Sequence, residues 1–448
     1  MSDEHLPRTL VVNFNAPELN QLALALARAG RLERYVRPYV NKRRGWERAI
    51  ARLPLAGGVY ASTFGRRLMD DPELARLTRE SGVLPDVLAA AAMRLAWLPD
   101  ATRRQWTNDL IKLLRESVAK AAARLGPEAD CVVAYEGFAL PAFAARRAAG
   151  GGRNVLNYPV AHHRVRRRER LEEIERQPLF ASTWPDFDDW PAGHEQRLDE
   201  EIELADAVLV GSTYAADSFV DEGIARARMK VIPYGVDLRT FMPGGNGAPG
   251  AKDRSRFEAI FTGQMTQRKG LSYLLEGWRR FARAGARLTI VGQPVGDPSA
   301  LAPYADLFRH IPHQTRAELA RHYRRSDVFV FPTLVEGMPL VVLEAMACGL
   351  PVIVTRNGPA DIVRDGIDGF VVPARDPEAI AACLETLHRD ADLREQMGRN
   401  ASRRAAEFGW SAYADKALAC LADLYRPASA TGDERTAAIM PRGALHAP

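Results

Sequence analysis

The chain has little cysteine: four residues in 448, Cys131, Cys348, Cys383 and Cys420, far apart and in no metal-ligand spacing. That excludes a disulfide scaffold and a thiolate metal cluster, and the four read as reduced core thiols of a cytosolic protein. Long hydrophobic runs are missing too. No apolar stretch approaches the ~20 residues that cross a bilayer. The longest candidate, DVLAAAAMRLAWL, is shorter and carries Arg94. The opening MSDEHLPRTL shows no signal-peptide pattern. Charge of one sign is not in large excess: the net formal charge of +5 is too small to argue for a nucleic-acid partner. The loop at 13–17, after the first apolar run, lacks the glycines of a GxGxxG dinucleotide fingerprint.

What is present is alternation. Short apolar runs bounded by Gly and Pro alternate with helical patterns from TLVVNFNA onward, which predicts parallel sheets in an α/β fold. The length fits two domains. One stretch, 329–351, FVFPTLVEGMPLVVLEAMACGLP, organises the rest. A buried-strand pattern leads through a turn with Gly337 and Pro339 into the helix-forming LVVLEAMA. Glu344 stands among apolar residues of that helix, and Glu336 lies in the loop before it. A carboxylate on an apolar face is costly unless something binds it. Ligands of open α/β sheets sit beyond the strand ends, against helix N-termini. The amides of Met338 and Leu340 are candidate phosphate donors, while Pro339 offers none. The competing reading of Glu344 is a structural ion pair with an arginine such as Arg356.

The pattern Glu-x7-Glu followed by AMACGLPVI closely resembles the donor-site signature of the retaining glycosyltransferases of family 4, with two Rossmann-like domains facing a cleft (the GT-B fold). The resemblance implies that Glu344 binds the ribose hydroxyls of a sugar nucleotide and Glu336 the transferred sugar. A second piece, Ile232, Pro233, Gly235, Val236, Asp237, Phe241 and Pro243, resembles that family's interdomain linker. A third is FEAIFTGQMTQRKG, where the family shows Gly-Arg-Leu-x-x-x-Lys-Gly. Gly263, Lys269 and Gly270 match, and Lys269 would hold the diphosphate. Gln264 stands at the arginine position, and a neutral amide cannot replace a bidentate guanidinium. Arg268 is the candidate for the missing charge. The loop at 311–313 would meet the nucleobase, and Asp361 stands where the family often has Glu. The resemblance is strong over about 205–425; before that it is an order of elements.

On the acceptor side the candidates are Glu136, after the strand ADCVVAY, and His162 and His163, after NVLNYPVA. His162 is placed at the reacting sugar; the competing reading is a loop histidine held by its neighbours. RVRRRERLEEIERQ reads as a mobile, solvated helix. Asp186 and Asp188 have a DxD spacing but no strand before them, so they read as a surface loop and no metal site is expected. In 42–52, Lys42, Arg43, Arg44, Arg48 and Arg52 flank Trp46, a pattern suited to a membrane surface or to a solvated helix with a buried Trp.

The expected division is 1–235 for the acceptor domain, with a helical insertion at 41–125, and 236–410 for the nucleotide-sugar domain. A helix at 411–427 returns to the first domain, and 428–448 is a disordered tail. The implied activity is metal-independent, cofactor-free transfer of a sugar, with retention, from a nucleoside diphosphate sugar to an acceptor hydroxyl. The expected location is cytoplasmic, with a peripheral contact at the inner membrane face if the acceptor is lipid-linked. Alternatives are a sugar-nucleotide-binding protein without turnover, and a related epimerase or phosphorylase.

Overall fold

A computed structural model describes residues 6–53, 58, 60, 63–64, 67–93, 100–184, 193–244 and 256–426. Among these residues thirteen strands, most of them apolar runs, form two parallel sheets. The first holds β1 (Thr9–Val12), β2 (Leu32–Arg37), β3 (Thr78–Glu80), β4 (Cys131–Tyr135), β5 (Arg153–Asn157), β6 (Ala207–Val210) and β7 (Met229–Val231), in the order β3-β2-β1-β4-β5-β6-β7. The second holds β8 (Glu258–Thr262), β9 (Arg287–Val291), β10 (Phe308–Ile311), β11 (Val328–Phe331), β12 (Val352–Thr355) and β13 (Gly369–Val372), in the order β10-β9-β8-β11-β12-β13. Both are doubly wound, and strand order reverses between β1 and β4 and between β8 and β11, the crevices where such sheets take ligands.

Side chains of β1 alternate between two cores, as period two requires. Val11 packs with Leu19, Leu22 and Leu26 of helix Pro17–Arg28, while Leu10 and Val12 pack with Leu114, Val118 and Phe143. Helix Trp410–Asp423 follows the second sheet yet lies on the first half of the chain. Its Tyr413 ring is 6.1 Å from that of Tyr234. Beyond it, the Tyr425 hydroxyl donates to the Asp130 carbonyl and accepts from the Arg153 N–H at 3.0 Å. A Cβ on Gly235 would lie 2.6 Å from the Trp410 Cα, so linker and helix touch at backbone distance.

Several expectations need correction. The insertion at 41–125 is not wholly helical, because β3 pairs with β2 at the sheet edge. Its basic segment is partly consumed inside: Lys42 donates to the carbonyls of Ala75 (2.8 Å) and Thr78 (3.0 Å), and Arg44 pairs with Glu47 and Glu80. Arg48 and Arg52 are exposed, and Trp46 is 48% exposed rather than buried. The segment RVRRRERLEEIERQ forms helix His163–Arg176, but Arg166, Arg170 and Glu173 are buried. Of the cysteines, Cys131 and Cys348 are core, whereas Cys383 and Cys420 are only partly covered. Asp186, Asp188, nearly all of the Gly-rich stretch after Pro243 and the tail from 428 lie outside the described residues. No helix among the described residues is long and apolar enough to cross a membrane.

Candidate active site

The crevice between β8 and β11 is built from two loops. β8 leads through Gly263 to the 3-10 turn Gln267–Lys269 and then helix Leu271–Phe281. Gly270 between them has φ +71°, and a Cβ there would lie 1.9 Å from the Pro332 carbonyl oxygen, so both backbone conformation and space demand glycine. β11 leads through 332–339 to helix Leu340–Ala347. The loops hold each other: Leu334 N–H and Thr333 Oγ1 donate to the Arg268 carbonyl at 2.9 and 3.1 Å, and Arg268 Nη1 donates to the Val335 carbonyl at 2.9 Å.

Three charges meet there. Lys269 Nζ and Arg268 Nη1 both approach Oε1 of Glu336, at 2.7 and 2.9 Å. Burial opposes ionisation of Glu336, but the two cations outweigh it and hold its carboxyl below the usual range. Burial depresses Lys269, with Glu336 acting in the other direction. The sequence placed these groups on separate parts of a ligand; the structure joins them in one cluster carrying a net positive charge. The amides of Met338 and Leu340 have no partner among the described residues. Two cations against one carboxylate, beside open amides, suit an anion such as a diphosphate. Gln264 is exposed, at the mouth of the crevice.

Glu344 lies on the adjoining helix with its side chain 12% exposed. Its ion-pair partner is Arg316, at 3.7 Å, and not Arg356. Among the described residues its carboxylate accepts no hydrogen bond. Burial pushes its carboxyl up to about 7, against the pull of Arg316, with Asp237 adding to the rise. In its ionised form, with free acceptor positions, this carboxylate can take both hydrogens of a vicinal diol.

The first half of the chain abuts this loop. A Cβ on Gly337 would lie 1.8 Å from the Pro159 carbonyl oxygen, and Tyr234 N–H points at Met338 Sδ, 2.9 Å away. Thr213 N–H donates to Asp361. His162 follows Pro159 and caps helix His163–Arg176, its Nδ1 accepting from Arg164 N–H at 3.2 Å. Its ring stacks on His163 (4.3 Å) and meets Phe219 edge-on (4.9 Å). Burial first, then His163, lowers its pKa to about 3, so the ring is neutral. His163 lies 3.2 Å from Asp199, and Glu136 pairs with Arg166 at 3.2 Å. The acceptor-side candidates are thus joined in one buried network rather than aimed singly at a sugar. His162, His163 and Asp199 bring ligand atoms within 4.8 Å of one another, but Arg164 already occupies Asp199 at 2.7 Å.

The sequence reading missed Arg166 and Glu201. Glu201 accepts from the N–H groups of Gly137 (2.7 Å), Ala139 (2.8 Å) and Leu140 (3.1 Å), fixing the turn after Glu136. An acid between Ile202 and Leu198, on the inner face of its helix, was the available signal.

Residues 256–390 match the family model described as Glycosyl transferases group 1. D-inositol 3-phosphate glycosyltransferase of Kineococcus radiotolerans is 33% identical over 275 residues, 53% of this chain and 61% of that protein. The same-named protein of Frankia alni is 35% identical over 250 residues, 50% of this chain and 61% of that one. The chain therefore spans about six tenths of the length of these curated relatives. Among solved structures, Anabaena HepE in complex with UDP-glucose has a TM-score of 0.60 at 14% identity, over 93% of this chain and 100% of that one. Sucrose-phosphate synthase from Thermosynechococcus elongatus has a TM-score of 0.60 at 19% identity, over 93% of this chain and 98% of that one. At those identities the likeness is one of fold. Residues 256–390 are thus similar to the glycosyl transferases group 1 family, on a chain with the GT-B fold of two Rossmann-like domains.

Proposed function

We propose that the chain is a retaining glycosyltransferase that moves a sugar from a nucleoside diphosphate sugar to an acceptor hydroxyl. The observation that carries this is the convergence of Arg268 and Lys269 on Glu336 at the β8/β11 crevice, one helix away from Glu344. In the reaction the anomeric C–O bond to phosphate breaks and the diphosphate leaves with the electron pair. The acceptor oxygen bonds the same face, and its proton passes to the departing diphosphate. Arg268, Lys269 and the amides of Met338 and Leu340 stabilise the leaving charge; such preorganised donors are the largest lever on charge development. Glu336 orders the cations and faces the transferred sugar, Glu344 holds the ribose, and His162 stands at the acceptor side. The UDP-glucose complex of HepE supports a nucleotide-sugar donor, and the names of the curated relatives support glycosyl transfer.

No metal or cofactor enters this scheme. NMR of the first product formed tests it: the anomeric configuration of the donor is expected. An inverted product overturns retention, and activity lost to EDTA and restored by manganese overturns metal independence. The proposed site of action is cytoplasmic, with the acceptor domain resting on an anionic membrane through the exposed Trp46, Arg48 and Arg52; Arg43 is exposed too but pairs with Asp70 at 3.0 Å.

A further inference from the structure

The charged helix His163–Arg176 has a role that its composition hides. Near its C-terminal end Glu173, with a side chain 1% exposed, is gripped from the other half of the chain. Its Oε1 accepts from Gln267 Nε2 at 2.7 Å, and its Oε2 from Arg375 Nε at 2.8 Å. Arg375 also reaches Glu169 at 2.7 Å. Gln267 opens the 3-10 turn that carries Arg268 and Lys269, and every polar group of its side chain is used. Its Oε1 accepts from Ser272 N–H at 3.0 Å and its Nε2 also donates to Ser272 Oγ at 2.6 Å. Its backbone N–H donates to Thr183 Oγ1 at 2.9 Å, again from the first half. Arg375 holds φ +64°, a left-handed conformation that a non-glycine residue keeps only when its surroundings impose it.

We propose that Glu173 is a positioning residue: through Gln267 it fixes the turn bearing Arg268 and Lys269, and through Arg375 it makes that fix depend on contact between the two halves. The helix that begins at His162 on the acceptor side thereby ends as a brace on the donor side. The link from turn to catalysis rests on the diphosphate reading above; the brace itself does not. A buried carboxylate is retained at such cost only when its partners satisfy it, and here they come from across the cleft.

Hydrogen exchange on the full chain reads the brace directly. In Glu173→Ala the amides of Lys269 and Gly270, which close the turn onto Thr266 and Gln267, are expected to exchange about tenfold faster or more, as local opening becomes cheaper. Gln267→Met severs the same bond from the other side and gives the same result if Glu173→Ala does not fold. Turnover supplies the second readout. Displacement of the turn is expected to lower kcat by roughly 10–100-fold. In a Lys269→Ala background the same change at Glu173 should cost less than about twofold, since neighbours acting through one group are not additive. Unchanged exchange at 269 and 270, or a full kcat loss that persists without Lys269, overturns the proposal. Wild-type protein that binds no nucleoside diphosphate sugar would sink the functional reading instead, and the exchange result would still decide the brace.

Discussion

Glu344 carries a charge that its surroundings oppose. Its carboxyl, ordinarily near 4.5, is pushed up to about 7 by burial, only partly offset by Arg316. The folded chain therefore holds a proton there, between those two values, that the unfolded chain has lost. This group's contribution to stability is greatest below the lower value and is lost as pH rises through the higher one. In the proposed donor complex ribose hydroxyls donate to the carboxylate, so donor binding should have the opposite slope. Affinity is expected to be roughly tenfold weaker at about pH 6 than at about pH 8, and flat above. Glu344→Gln should remove that dependence, and calorimetry across the range reads it; a slope kept by this variant assigns the titration elsewhere. Glu344→Ala should cost roughly 1.5–3 kcal/mol of donor binding in a folded protein. Lys269→Met should lower kcat by about 10²–10³ with little loss of melting temperature, and activity that survives it removes lysine from the diphosphate. Glu344 could be picked out of the sequence because it breaks an apolar helix pattern, and Glu336 and Lys269 through the resemblance of the motifs that hold them. Their partners could not: Arg316 and Arg356 are equally plausible neighbours of Glu344 until the chain folds.

Elements show the same division. The buried strands were legible because parallel sheets demand continuous apolar runs, and 328–331 and 352–355 supply them. β3 was not, because Thr-Arg-Glu is three residues of an edge strand with no apolar signal. Helix His163–Arg176 misled for a different reason. Its charges count as solvated by composition, yet Arg166, Arg170 and Glu173 find partners in Glu136, the Trp184 carbonyl, Gln267 and Arg375, some distant in sequence. The donor loops owe their shape to tight glycine contacts. Gly337→Ala, with its Cβ driven toward the Pro159 oxygen, is expected to part the halves. It should lower kcat by about tenfold or more through misalignment, while Glu344 still binds nucleotide; unchanged steady-state kinetics would show that the loop yields without consequence. Gln264→Arg tests the departure from the family pattern. A tighter donor complex is expected from an added bidentate contact. Weaker binding would show that Arg268 already fills that space.

At the scale of the whole molecule, two doubly wound sheets meet along a polar seam: Pro159 on Gly337, Thr213 on Asp361, Glu173 on Gln267 and Arg375. The two-sheet architecture was legible from alternation, chain length and the resemblance together, whereas the seam was not, since each of its pairs joins residues more than ninety positions apart. The outer surface of the first half carries the remaining prediction. Trp46, Arg48 and Arg52 should give weak binding to anionic vesicles, with about 1 kcal/mol from each arginine, and salt should release it. Equal sedimentation with neutral vesicles, or none with either, would leave the acceptor in solution. The central claim, a nucleoside diphosphate sugar in the β8/β11 crevice, is tested most directly by thermal shift of the wild type and Glu344→Ala against UDP-, GDP- and ADP-sugars. A ligand that binds only the folded chain raises its melting temperature. The account predicts a saturable rise with one of these nucleotides that is lost or strongly weakened in Glu344→Ala; no rise with any of them, or an equal rise in the variant, would contradict it.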